Sequence, residues 1–348
     1  MDILNELYEK GVNRRNFLMG AGALSAATVL AGCGNSGTVT PTPTPTPTPA
    51  PGPAAITDAD ILNFALNLEY LEAEFYLRAA TGSGLAASDV AGTGAAGSVT
   101  GGKKVGGTLT KFQSDFINEL AYDEQQHVKF LRSQLGASAV ARPAIDLTAG
   151  FSGAVAAANT VGTASASLPL IPPGFDPFGD FDSFLVASFV FEDVGVTAYT
   201  GAGPLLSAAA ATNGTLLAAG GLQAVEAYHA AAIRTQLTGK AIIFGTNAYP
   251  YPLFANRISG LRAALGGGKE TPLSGFLQAP ATTATVTASS IVAADAMALA
   301  YSRSVSEVLH IVYGTFSTTA GSTTSSAGVK SGLFFPAGLN GTITTTTA

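Results

Sequence analysis

The sequence predicts an all-α fold: four long helices in two pairs, followed by a C-terminal extension of short helices and loops. Three observations carry that expectation. Apolar residues recur at helical spacing in four stretches, bounded by capping residues or glycines. A long irregular stretch separates the second of these from the third, which pairs the helices first with second and third with fourth. A glutamate followed on the next helix by Glu-x-x-His occurs twice, in the same order.

The elements follow in order. TDADILNFALNLEYLEAEFYLRAA (57–80) has Thr57 or Asp58 as cap and Leu62, Leu66, Ala73 and Leu77 on one face. A Gly/Ser/Ala-rich loop fills 81–107. LTKFQSDFINELAYDEQQHVKFLRSQLG (109–136) stops at Gly136. The crossing connection contains the turn PPGFDPFGD (172–180) and leads into a helix over 181–202. The fourth helix, 213–239, also ends at a glycine. Its Gly220–Gly221 pair costs roughly 1 kcal/mol per glycine relative to alanine, which predicts a kink or close packing there. Beyond it, short helices are expected over 256–265 and 302–314, the latter with a Ser304/Glu307 capping box. The domain boundaries that result are 56–239 for the bundle and 240–348 for an extension packed on it, with a flexible Gly/Ser/Thr-rich tail.

Of the 348 residues 47% are hydrophobic and only 11% charged, so the chain can bury a sizeable core. The net charge of −6 with scattered basic residues gives no case for nucleic-acid binding. Cys33 is the single cysteine, which excludes an intrachain disulfide. Residues 1–33 read as an export signal, a basic NRRNFLMG (13–20) followed by a short uncharged run. Arg14–Arg15 with Phe17 and Leu18 resembles the twin-arginine signal, and LAGC (30–33) resembles a lipobox, whose cysteine is lipidated. The alternative is a plain signal peptide cut near Ala31–Gly32. VTPTPTPTPTPAPGPAA (39–55), within a linker over 34–55, favours extended polyproline II and suits a tether between membrane and domain. The expected place of the protein is therefore the periplasm or cell surface, held to a membrane by its lipid alone.

The chemistry lies in the helices. Leu120, Glu124, His127 and Leu131 form one stripe, and Leu222, Glu226, His229 and Ile233 form the same stripe on the fourth helix. Glu69 interrupts the apolar face Leu62, Leu66, Ala73, Tyr76. Glu192 interrupts the face Leu185, Phe189, Val196, Tyr199. Four ionised carboxylates cannot be buried together without compensation, since each costs several kcal/mol. The stripes contain no Lys or Arg, so two divalent cations with two neutral imidazoles are the compensation expected. Glu72 shares nearly the same face as Glu69 and is its alternative or neighbour. Asp193 points about 100° away from Glu192. His310 also follows a glutamate by three, but Glu307 serves the capping box, and His310 reads as a structural or surface residue.

These residues resemble the di-iron carboxylate proteins of the ferritin-like superfamily. NLEYLEAEFY resembles the group that includes plant desiccation-related proteins, and the likeness runs from about 56 to about 340, including IVAADAMALAYSRSVSEVLHIVYG and GLFFPAGLNGT. The resemblance implies a ferritin-like four-helix bundle with a long crossover and a centre of two iron, or manganese, ions. It implies that Glu124 and Glu226 bridge the metals, that Glu69 and Glu192 are terminal ligands, and that His127 and His229 serve one metal each. Tyr76 and Tyr199 match aromatic positions near such centres, with core packing as their other reading. The substrates expected are O2 or peroxide, in Fe(II) oxidation, peroxide reduction or a manganese-catalase reaction. The long loop 81–107 and the tail depart from a minimal bundle and argue against an iron-storage cage. A non-enzymatic, stress-associated surface role is the rival expectation.

Overall fold

Thr57 opens α1 (Asp58–Thr81) with a capping box to Asp60. The structure, a computed structural model, describes residues 55–161, 167–273, 291–314 and 327–347. The export signal, Cys33 and nearly all of the Pro-Thr tether lie outside the described residues. After α1 come α2 (Lys111–Leu135), α3 (Leu147–Thr160), α4 (Phe181–Ala202), the short α5 (Ala208–Thr212), α6 (Thr215–Phe244), α7 (Tyr251–Leu265) and α8 (Val305–Tyr313). Two-residue strands β1 (Val99–Thr100) and β2 (Ile145–Asp146) pair in parallel. No described helix is long and apolar enough to cross a membrane.

α1 packs chiefly on α2 and α4 chiefly on α6, which gives the two expected pairs. α1 and α4 are more central than an amphipathic helix requires. α1 is buried all round from Leu66 to Tyr76, and α4 from Ser183 to Ala198. Their outer faces are covered by α3, α7, α8 and the segment around Phe334. Phe75 shows the layering: its ring lies 5.4 Å from Phe151, 5.2 Å from Phe178, 5.6 Å from Phe184 and 5.4 Å from Phe191. The crossing connection therefore contributes core through α3 and through the PPGFDPFGD turn.

Several expectations need correction. The crossing stretch is not irregular throughout, because α3 lies within it, capped by Asp146 on Ala149 N. Gly220 and Gly221 lie within the continuous α6 and do not pack closely, since each would leave an added Cβ in open space. Gly239 does not end the helix, which continues to Phe244. α7 starts at Tyr251 rather than near 256. The Ser304/Glu307 capping box is present on α8.

Buried arginines were not expected inside the fold. Arg234 and Arg262 both bind Asp193, each with one guanidinium nitrogen 2.7 Å from Oδ2. Arg262 and Arg303 also bind Glu270, at 2.8 and 2.7 Å. Burial alone would raise the Asp193 pKa, but these guanidinium groups hold it down at about 2. This ionic layer joins α4 to α6, α7 and the segment before α8, on the side of α4 that faces away from Glu192.

Asn340 ties distant parts of the chain together. It exchanges hydrogen bonds with Asn67 of α1, Nδ2 of Asn67 donating to its carbonyl at 2.8 Å. Its own side-chain amide donates to the carbonyls of Ala95 and Ala141, both at 2.8 Å.

Candidate metal centre

The stripes converge where the four long helices meet. Glu69 comes from α1, Glu124 and His127 from α2, Glu192 from α4, and Glu226 and His229 from α6. All six are buried, the most exposed being His229 at 7%. His127 Nδ1 lies 3.2 Å from Glu69 Oε2, 3.2 Å from Glu124 Oε2 and 3.4 Å from Glu226 Oε1. His229 Nδ1 lies 3.0 Å from Glu124 Oε1 and 3.4 Å from Glu192 Oε2. The imidazole rings are 6.3 Å apart. Two donor groups result: Glu69, Glu124, His127 and Glu226 in one, and Glu124, Glu192 and His229 in the other. Glu124 belongs to both, with one oxygen turned to each histidine. Glu226 joins the first group.

These donors suit metal ions. His229 Nδ1, Glu124 Oε1, Glu192 Oε2 and Glu226 Oε1 face one another or His127 at 3.0–3.4 Å without well-aligned hydrogen bonds, and Glu226 Oε2 has no partner among the described residues. Native proteins rarely leave buried polar atoms unpaired, and an ion is one of the few explanations for several together. Oxygen-rich sets with imidazole fit iron or manganese better than a thiolate-preferring metal.

The tyrosines pair across the repeat. Tyr76 of α1 donates to Glu192 of α4, and Tyr199 of α4 donates to Glu69 of α1. Each hydroxyl holds one oxygen of a carboxylate whose other oxygen faces a histidine. Tyr76 also packs on Phe75 and Phe184, so both of its expected roles coexist.

Two positions break the pseudo-two-fold repeat. Asp123 precedes Glu124, and its carboxylate lies 3.1 Å from Nε2 of His229. A histidine held this way offers Nδ1 as the metal-binding nitrogen. The matching residue before Glu226 is Val225, which has no polar side-chain atom to do the same for His127. Glu72 is the second break, since its counterpart on α4 is Gly195. Glu72 is 5% exposed and lies in neither donor group. A Cβ on Gly195 would stand 2.0 Å from Glu226 Oε2, so only glycine lets that carboxylate sit where it does. Asp123 and Gly195 were missed by sequence reasoning, although the mismatch of Asp123 with Val225 is visible in an alignment of the two halves. Asp123→Ala is expected to weaken the metal beside His229 about 10–100-fold and to leave the His127 half nearly unchanged. A competitive metal titration reads this as loss of one binding phase; equal weakening of both phases would contradict it.

Asp193 points away to Arg234 and Arg262, as its helical angle requires. His310 is buried rather than on the surface, with Nε2 3.4 Å from the Thr347 carbonyl, and takes no part in the centre. Among the described residues no Lys or Arg pairs with the carboxylates of the centre, while the buried arginines serve Asp193 and Glu270.

Protons take over when metal is absent. Burial raises Glu69 to about 7 despite the attraction of His127. Burial and neighbouring carboxylates raise Glu226 and Glu72 well above the usual range. Burial also raises Glu192, against the pull of His229. Burial opposes the charge on Glu124, but His127 and His229 overcome it and hold its pKa down. Burial disfavours both imidazolium ions, and the facing carboxylates outweigh it and raise both histidines. A group raised on folding stabilises below its unfolded pKa and loses that contribution as pH rises through the folded value. The metal-free protein is therefore expected to lose stability from about pH 4.5 through about pH 7 as Glu69 titrates, and to go on losing it above, where Glu72, Glu226 and both histidines are held protonated. Metal binding needs deprotonated ligands, so the loaded protein should gain stability over the same range. Denaturant titrations with and without metal check this; parallel pH profiles would contradict it.

The ferritin-like domain family model matches residues 57–239. A desiccation-related protein of Craterostigma plantagineum is 36% identical over 214 residues, covering 60% of this chain and 63% of that protein. This chain thus spans less than two thirds of that relative. A ferritin-like catalase of Nesocodon mauritianus is 32% identical over 268 residues, covering 74% of this chain and 78% of the relative.

Proposed function

Because the chain belongs to the ferritin-like domain family, we propose that it holds two iron or manganese ions among α1, α2, α4 and α6 and uses them on peroxide or O2. The observation that carries this reading is the set of four buried carboxylates packed around two histidines, their facing atoms 3.0–3.4 Å apart without well-aligned hydrogen bonds. Peroxide removal is favoured over Fe(II) oxidation by the similarity to a relative named a catalase. When bound, a metal pair supplies Lewis acidity and a redox couple shared between neighbouring ions.

The chain's own residues do the rest. Glu124 joins the two halves through its separate oxygens. Asp123 orients the His229 ring from the solvent side, where its side chain is 30% exposed and open to proton exchange. Tyr76 and Tyr199 fix the carboxylates of Glu192 and Glu69 and can return a proton to them. Leu120, Leu131, Leu66 and Ile233 keep water from the donors. Purification without oxygen, metal quantification and assays of peroxide consumption and Fe(II) oxidation test the proposal. Two metals per chain with peroxide turnover are expected; a folded protein that binds neither ion overturns it.

Similarity to a desiccation-related protein supports a second reading, in which the bundle acts in stress without catalysis. Glu124→Ala combined with Glu226→Ala separates the two. If that double variant is folded and keeps the physiological role, the stress reading stands. The proposed site of action is outside the cytoplasm, on the evidence of Arg14–Arg15 and Cys33 in the sequence. Mass spectrometry of the mature N-terminus tests that: an unmodified Cys33 removes the lipid anchor.

A further inference from the structure

The repeat that aligns Glu69 with Glu192 and Tyr76 with Tyr199 also aligns Glu72 with Gly195. Where symmetry would put two side chains, there is one carboxyl, and Glu226 Oε2 takes the space over Gly195. Glu72, Leu68 and Gly195 line two small cavities, one on each side of the Glu72 side chain. The first, about 20 Å³, also touches Glu69, Tyr199, Phe64 and Ala198. The second, about 30 Å³, runs beneath α7 and α8 among Ile258, Leu261, Ile311 and Phe334. Either exceeds the roughly 10–15 Å³ that one water requires. Glu72 is 5% exposed and forms no hydrogen bond or ion pair with a described residue. Gly195, against Glu226 Oε2, forms the wall between this space and the donor cluster.

From these features we infer that the Glu72–Gly195 cavity is the binding pocket for hydrogen peroxide on its way to the centre, with the Glu72 carboxyl as its hydrogen-bond partner. The inference rests on the peroxide reading of the centre. Apolar walls select a neutral molecule over an anion, whose desolvation they would not repay. A water fits here too, but hydrogen peroxide has a hydroxyl at each end and can bond Glu72 with one while the other reaches Glu69 and Tyr199 in the same cavity. Dioxygen has no proton to donate and leaves Glu72 unpaired. Hydrogen peroxide is little larger than water and both donates and accepts, so it satisfies the carboxyl in either protonation state. The two histidines lie on α2 and α6, whereas this pocket opens between α1 and α4, so substrate and the solvent-linked Asp123 approach from different faces.

Xenon-pressurised crystals of the full chain test the pocket independently of any metal. Xenon is expected in both cavities beside Glu72, and its absence from them overturns the inference. Kinetics of the metal-loaded protein test the ligand. Glu72→Leu should keep two metals per chain and raise KM for peroxide about tenfold or more, the loss of one hydrogen bond to a buried group. Glu72→Gln, which keeps a donor and an acceptor, should restore KM to within about twofold of wild type. Ala198→Leu, which narrows the first cavity, should raise KM and exclude xenon from it. An active wild type whose KM is unmoved in Glu72→Leu overturns this inference alone. Loss of metal from Glu72→Leu would make Glu72 a ligand and overturn it as well. A metal-loaded wild type that consumes no peroxide overturns the underlying reading and this inference together.

Discussion

Glu124→Ala is expected to strip both metals from the centre. Removing a partner that merely orients a ligand costs about 10–100-fold in affinity, and removing a ligand shared by both ions should exceed that for each. Glu124 is the one residue common to the two donor groups, with an oxygen toward each histidine. The helix should persist, because alanine is the better helix former and α2 is held by Ile117, Leu120, Val128 and Leu131. Metal quantification after anaerobic reconstitution, alongside far-UV circular dichroism, reads the outcome. A folded variant that retains two tightly bound ions would sink the assignment. The contrast with Asp123→Ala is diagnostic: that change should touch the ion beside His229, whereas this one should lose both.

Arg262→Met is expected to destabilise the protein by about 3–5 kcal/mol, the usual result of removing one partner from a buried charge group. Arg262 is 1% exposed, binds Asp193 and Glu270, donates to the Phe189 carbonyl, and lies 4.4 Å from the centre of the Phe189 ring. Methionine keeps much of the bulk but leaves Glu270 with Arg303 and Asp193 with Arg234. Urea denaturation measures the loss. Adding Glu270→Leu to Arg262→Met should deepen it, because the second change takes the buried Arg303 away from its carboxylate. A loss below about 1 kcal/mol would mean that the remaining arginines carry the layer.

The bundle was legible because its stripes obey helical spacing. Leu120, Glu124, His127 and Leu131 face inward together, and their repeat at Leu222, Glu226, His229 and Ile233 does too. The positions of Glu69 and Glu192 followed from the same rule. What stayed hidden has physical causes. α3, LTAGFSGAVAAANT, is built from Ala, Gly and Thr, so its apolar face is shallow and its periodicity weak. Gly239 was misread because a glycine favours a helix end chiefly where the backbone turns to positive φ, and that turn comes at Gly245 with φ 75°. The ionic layer was invisible because Arg262 and Arg303 come from beyond the bundle and meet Asp193 and Glu270 only through tertiary packing. Gly195 looked like an ordinary helix glycine until Glu226 was placed beside it.

Asn340 sets a clock on this molecule. The ribosome makes Asn67 273 residues before the partner that completes its hydrogen bonds. At about 5–20 residues per second, α1 waits roughly 15–55 s for that partner. Through that interval the Glu69 helix lacks the link through Asn340 that joins Asn67 to the carbonyls of Ala95 and Ala141. The full set of hydrogen bonds that ties α1 to the loops at 95 and 141 is thus completed only near the end of synthesis.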